Sequence, residues 1–222
     1  MLLVDTESLR IHGLTNNPFR TNCFIIETNE GAFVIDPAGD GALLTVYLQQ
    51  REINIQFLIA THYHFDHVSA AHFLLEKGIG KTLFIHPNES QILKHAGTYS
   101  LLLEKKMFFQ AQKISLDYEY LEESINKMGF GVKHLPGHTP GHIILFTKDK
   151  KFLFSGDMII NNLLRTPRTF IAENKEELYN STLQMLELFS DNTIIFPGHG
   201  KVSLMEVERL YNAKINQICS VN

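Results

Sequence analysis

Short apolar runs broken by turn residues set the pattern of the chain. Residues 23–28 (C-F-I-I-E-T) and 32–36 (A-F-V-I-D) are separated by N-E-G, which predicts a hairpin of two strands. From 41 to 51 the apolar residues Leu43, Leu44, Tyr47 and Leu48 recur at helical spacing. F-L-I-A at 57–60 predicts a buried strand, and 67–77 predicts a helix with Ala70, Ala71, Leu74 and Leu75 on its apolar side and Gly78 as its stop. A strand at 83–86 is ended by Pro87. Strands are expected again at 130–135, 143–147, 152–154 and 193–196, an amphipathic helix at 175–189, and a closing helix at 203–218. Strands grouped early and late, each group followed by helices, predict two sheets packed face to face with helices outside. Short connections favour antiparallel pairing.

The stretch 88–127 has a different character: it is rich in Lys, Gln and Glu around two apolar patches, Leu101 to Leu103 and Met107 to Phe109. It reads as a partly helical insertion or lid within a single domain spanning 1–222. Composition agrees with one large core, since 44% of the 222 residues are hydrophobic and 20% charged. The net charge of −4 and the absence of a Lys or Arg run remove the footprint of non-specific nucleic-acid binding. No apolar run approaches the roughly 18 residues of a membrane span. The first residues, M-L-L-V-D-T-E-S-L-R, carry acids where a signal peptide carries positive charge, so a cytoplasmic chain is expected. Cys23 and Cys219 make no C-x-x-C and no disulfide framework, and are expected to be reduced thiols.

Histidine changes the picture. There are eleven, and T-H-Y-H-F-D-H at 61–67 holds three of them with an aspartate. In extended chain His62 and His64 point to the same side, and Asp66 and His67 follow at the start of the predicted helix. A loop held between a buried strand and a helix suits positioned ligands, and imidazole with carboxylate is a donor set that zinc and iron accept. Asp66 as a helix N-cap would explain the aspartate but none of the histidines. In K-H-L-P-G-H-T-P-G-H, residues 133–142, two Pro-Gly turns leave His138 at the tip of a fixed loop. His142 opens the next strand, as ligand or as support for one, and His134 reads as an ordinary strand residue. F-L-F-S-G-D places Asp157 after a strand, as turn former or ligand; Asp36 in F-V-I-D-P has the same setting. F-P-G-H-G places His199 after the strand 193–196.

The series His62, His64, Asp66, His67 (H-x-H-x-D-H), His138 (G-H-T-P-G-H), Asp157 (S-G-D) and His199 (P-G-H-G) resembles the metallo-β-lactamase superfamily, from about residue 23 to 200, and within it the glyoxalase II-like hydrolases. The resemblance implies a four-layer αββα sandwich of the α/β class with a dinuclear metal site at one edge. It further implies that His62, His64 and His138 hold one ion, that Asp66, His67 and His199 hold the other, and that Asp157 bridges them. Asp36, His12, His72, His86, His95 and His142 match no ligand position.

Two divalent ions are therefore expected, zinc first, with iron and manganese as alternatives. The implied reaction is hydrolysis of a thioester, such as a hydroxyacyl-glutathione, by a metal-bound hydroxide, with Asp66 able to accept or relay a proton. The partner is a small-molecule substrate, with no nucleic acid and no membrane. Only 22 residues follow P-G-H-G, so the resemblance is to the short branch without an appended helical domain. The segment after Asp157 reads M-I-I-N-N-L-L-R-T-P-R-T-F rather than a glycine-rich stretch. There Arg165 and Arg168 are candidates for an anionic substrate, or solvated loop charges. Rival readings on the same fold are a mononuclear-iron persulfide dioxygenase and a lactone or β-lactam hydrolase. A non-catalytic, metal-stabilised binding module is the alternative of another class.

Overall fold

The computed structural model describes residues 1–15, 19–89, 113–160, 163–164 and 174–219. They fall in two compact units, Met1–Met128 and Gly129–Asn222.

The first unit is built on a seven-stranded sheet in the order β1 (Leu2–Asp5), β2 (Leu9–Leu14), β3 (Cys23–Thr28), β4 (Gly31–Ile35), β5 (Ile55–Ile59), β6 (Leu83–Phe84) and β7 (Ile114–Ser115). The first four strands pair antiparallel and β4 to β7 pair parallel. Parallel neighbours need crossovers. Helix α1 (Gly41–Gln50) joins β4 to β5; α2 (Phe65–Val68) and α3 (Ala71–Glu76) join β5 to β6. Asp40 caps α1, its carboxylate accepting from the N–H groups of Ala42 and Leu43. Leu44 and Leu48 of α1 and Ala71, Leu74 and Leu75 of α3 pack on Ile25, Val34, Leu58 and Leu83 of the sheet. The opposite face, with Ile11, Ile26, Phe33, Ile35, Phe57 and Phe84, is also buried. Phe33 and Phe57 stack there at 5.6 Å. Strands buried on both faces read as continuous apolar runs, so polar chemistry is left to the strand ends.

The helix expected over 67–77 is split. Ala70 N–H donates to Pro37 O at 2.9 Å, and Ser69 Oγ accepts from Gly39 N–H. The segment after β4 thus draws these residues out of helical register before α3 begins. Within the stretch read as an insertion, β7 is an edge strand of this sheet, and α4 (Tyr118–Lys127) is an amphipathic helix burying Leu121 and Ile125. The rest of that expectation, 90–112, lies outside the described residues. The β1–β2 hairpin has no counterpart in the sequence reading.

The second unit carries β8 (Phe130–His134), β9 (Ile143–Thr147), β10 (Phe152–Gly156), a small hairpin of β11 (Ile159–Ile160) with β12 (Leu163–Leu164), β13 (Ile194–Pro197) and β14 (Ser203–Leu204). Its five-stranded sheet runs β14-β13-β10-β9-β8, with β10 and β13 parallel and the other pairs antiparallel. Helix α5 (Lys175–Leu188), capped by Asn174, and α6 (Met205–Tyr211) with α7 (Ala213–Cys219) cover one face. Leu178, Met185, Met205 and Ile215 meet Ile144, Leu153 and Ile195 there. The closing helix expected over 203–218 is a strand followed by two helices. Ser203 pairs with Ile195, and Asn212 ends α6 and accepts from the N–H groups of Lys214 and Ile215 to start α7. Among the described residues no helix is long and apolar enough to cross a membrane.

Candidate metal centre

In the first unit the parallel neighbours β4 and β5 end together, since Asp36 N–H donates to Ile59 O. Beyond β5 the chain bends at Thr61 and His62 and is extended again at His64, with φ −70° and ψ 140°. Tyr63 turns inward to 1% exposure, and burial raises its phenol well above the usual range. His62 and His64 turn together, His62 Nε2 lying 2.9 Å from His64 Nδ1. Helix α2 then begins at once, with Asp66 and His67 in its single turn. His67 Nε2 stands 3.8 Å from Asp66 Oδ2, and the rings of His62 and His67 are 4.1 Å apart.

Asp36, which matches no ligand position in the motif series, is the anchor of this loop. Held at φ 50° and 1% exposed, it accepts from Thr61 N–H at 2.7 Å, Thr61 Oγ1 at 2.9 Å and His67 Nδ1 at 2.9 Å. The proton on Nδ1 leaves His67 its Nε2 lone pair, the arrangement by which carboxylates orient metal-binding histidines. Two further contacts were not legible in the sequence: Thr21 donates its hydroxyl to Asp66 Oδ2 at 2.8 Å, and buried Glu89 accepts from Tyr63 N–H at 3.0 Å. Neither residue carries a motif; only the fold brings them to the loop.

In the second unit three strand ends supply the other candidates. His138 sits in the β8–β9 turn, whose preceding glycine is required twice. Gly137 has φ 129°, and a β-carbon there would overlap the Leu178 backbone of α5. Gly137→Ala should therefore destabilise the protein by roughly 2–4 kcal/mol, from strain and overpacking together, read as a lowered denaturant midpoint. His134 Nε2 meets Pro140 O at 2.8 Å and closes the same turn. Asp157 follows β10 after Gly156, and its N–H donates to His142 Nε2 at 3.2 Å. His142 is thus a support of Asp157. The adjacent β13 end holds His199, fixed by the bond from Gly198 N–H to Gly156 O.

The spacing of these side chains is chemically specific. Asp157 Oδ2 is 3.6 Å from His138 Nε2, and Asp157 Oδ1 is 3.5 Å from His199 Nε2. Such distances are too long for hydrogen bonds. They match two donors sharing one ion at about 2.0–2.2 Å from each. One carboxylate therefore faces two histidines with its two separate oxygens. The set of imidazoles and carboxylates fits borderline divalent ions such as zinc or ferrous iron.

The remaining histidines are engaged elsewhere. His12 meets Tyr47 Oη at 3.0 Å and Glu27 Oε1 at 2.8 Å, His72 pairs with Glu76, and His86 packs on Tyr118. His95, Arg165 and Arg168 lie outside the described residues. Cys23 is buried; burial pushes its thiol up to about 12, a hydrogen bond with the Ala38 backbone opposes that rise and the Asp36 charge adds to it. It should resist alkylation at pH 8 until the protein is denatured, as intact mass would show.

Comparison with known proteins gives the family and the fold. The sequence profile of the family described as Metallo-beta-lactamase superfamily matches residues 16–199. Hydroxyacylglutathione hydrolase GloC of Haemophilus influenzae is 30% identical over 207 residues, covering 89% of this chain and 94% of that protein. The crystal structure of TTHA1623 in a di-iron-bound form superposes with a TM-score of 0.78 at 28% identity, over 91% of this chain and 99% of that one. That of BLEG-1 B3 metallo-beta-lactamase does so at 0.76 and 21% identity, over 92% and 99%. The last similarity shows the fold alone, and it is the fold expected from the motif series.

Proposed function

The chain belongs to the metallo-β-lactamase superfamily, and on that premise we propose that it is a metal-dependent thioester hydrolase acting on a hydroxyacyl-glutathione or a related acyl-thiol. His62, His64 and His138 would hold one divalent ion, Asp66, His67 and His199 the second, and Asp157 would serve both. The observation that carries the reading is Asp157, whose two oxygens each face a different histidine at 3.5–3.6 Å. Zinc is the expected metal; iron is a real alternative, because TTHA1623 is described in a di-iron-bound form, and manganese is the third candidate.

Two ions so held supply Lewis acidity, which makes water a nucleophile near neutral pH and polarises the carbonyl to be attacked. The protein's own groups do the rest. Asp36 keeps His67 in the tautomer that presents Nε2, and His142 holds Asp157 by its backbone N–H. Asp66, steadied by the Thr21 hydroxyl, is a carboxylate within the same loop and so the group placed to take up a proton. Cys23 is excluded as a nucleophile, because its thiol is buried and protonated at neutral pH. The thioester preference rests on the similarity to GloC.

The test is turnover of S-lactoylglutathione by the purified, metal-loaded protein, run beside an acyl-CoA, a lactone and a β-lactam. Preferred turnover of the glutathione thioester supports the reading. A preference for the lactone or the β-lactam would overturn the thioester assignment.

A further inference from the structure

Asp36 can only accept hydrogen bonds while ionised, so the hydrogen of the Thr61 hydroxyl points at Asp36 Oδ2, 2.9 Å away. A hydroxyl has one hydrogen. At 3.1 Å from His62 Nδ1, the Thr61 oxygen must therefore act as acceptor, and the hydrogen in that contact belongs to His62 Nδ1. The neutral ring then carries its lone pair on Nε2, the atom 2.9 Å from His64 Nδ1. Asp36 Oδ2 also takes the Nδ1 hydrogen of His67, which leaves that ring its lone pair on Nε2 as well. One buried carboxylate sets two histidines, one directly and one through a hydroxyl.

We propose that Thr61 is a positioning residue whose hydroxyl relays the hold of Asp36 to His62, fixing the tautomer of that ring alone. The inference rests on the two-ion reading above and deepens it, since His62 and His67 are assigned to different ions. Loss of the relay should weaken one ion site and spare the other, whereas loss of Asp36 should weaken both. The Thr61 backbone bond to Asp36, at 2.7 Å, and the bond of His67 to Asp36 do not involve the hydroxyl. Thr61→Val therefore removes the relay at nearly constant shape.

The experiment is competitive zinc titration against a chelator for the wild-type protein and for Thr61→Val, Thr61→Ser and Asp36→Asn. Losses of about 10- to 100-fold are expected when such an outer partner is removed. In Thr61→Val one of two zinc ions should weaken by that factor while the other keeps its affinity. Thr61→Ser should match wild type, and Asp36→Asn should weaken both. Nitrogen NMR of zinc-loaded wild-type protein should find His62 protonated at Nδ1 with slowly exchanging hydrogen, whether or not the valine variant folds. The inference is overturned if Thr61→Val leaves both affinities intact or lowers both alike, if serine does not restore, or if His62 carries its hydrogen on Nε2. A wild-type protein that binds no zinc overturns the metal reading itself, and this inference with it.

Discussion

Asp157→Ala is expected to lower hydrolysis of the thioester by about three orders of magnitude or more, while leaving the fold in place. Two ions that activate water and polarise a carbonyl would lower the barrier by several kcal/mol, and each 1.36 kcal/mol is tenfold in rate. The variant removes the single carboxylate whose oxygens face both His138 and His199, so both proposed ions lose a ligand at once. The fold should survive because the main-chain bond from residue 157 to His142 remains available to alanine, and the apolar cluster beneath α5 does not use the carboxylate. His64→Ala should also abolish turnover, by stripping one proposed ion of a ligand. The measurements are kcat/KM, bound metal per chain and the far-ultraviolet circular dichroism of each variant. Normal turnover by Asp157→Ala, or its failure to fold, would contradict this reading.

Chelation is the second large effect expected. Removal of metal should abolish turnover and lower the melting temperature, and readdition of zinc, iron or manganese should restore both. The stability component follows from linkage: a ligand at a thousand times its Kd stabilises the folded state by about 4 kcal/mol. In the first unit that component has a visible origin. His62, His64, Asp66 and His67 are gathered within one strand-to-helix connection and held by Asp36. Their ring nitrogens converge, His62 Nε2 lying 2.9 Å from His64 Nδ1, so an ion bound there would tie the connection together. A non-catalytic binding module would show the melting shift but no turnover with or without metal, so the two readouts together separate the classes.

Much of this centre could be read from the chain because each candidate side chain sits next to a backbone signal. His62 and His64 follow a continuous apolar strand at alternate positions, His138 and His199 are flanked by glycines that fix their turns, and Asp157 follows Gly156 at a strand end. What the sequence hid was long-range or overruled locally. Asp36 gains its role from the parallel pairing of β4 with β5, which periodicity does not encode. Thr21 reaches Asp66 across 45 residues. The break between α2 and α3 comes from Pro37 O capturing the Ala70 N–H, and tertiary contacts of that kind override helical propensity. The β1–β2 hairpin escaped notice because its buried polar residue, His12, breaks the apolar pattern. Its cost is met by Tyr47 and Glu27, residues far away in sequence.

The central claim is that two ions act together on a thioester. It is tested most directly by adding zinc in steps to metal-free protein while following S-lactoylglutathione turnover and bound metal per chain. Turnover that becomes complete only as the second equivalent binds is the expected result. Full turnover with one equivalent bound, or turnover that persists with none, would contradict it.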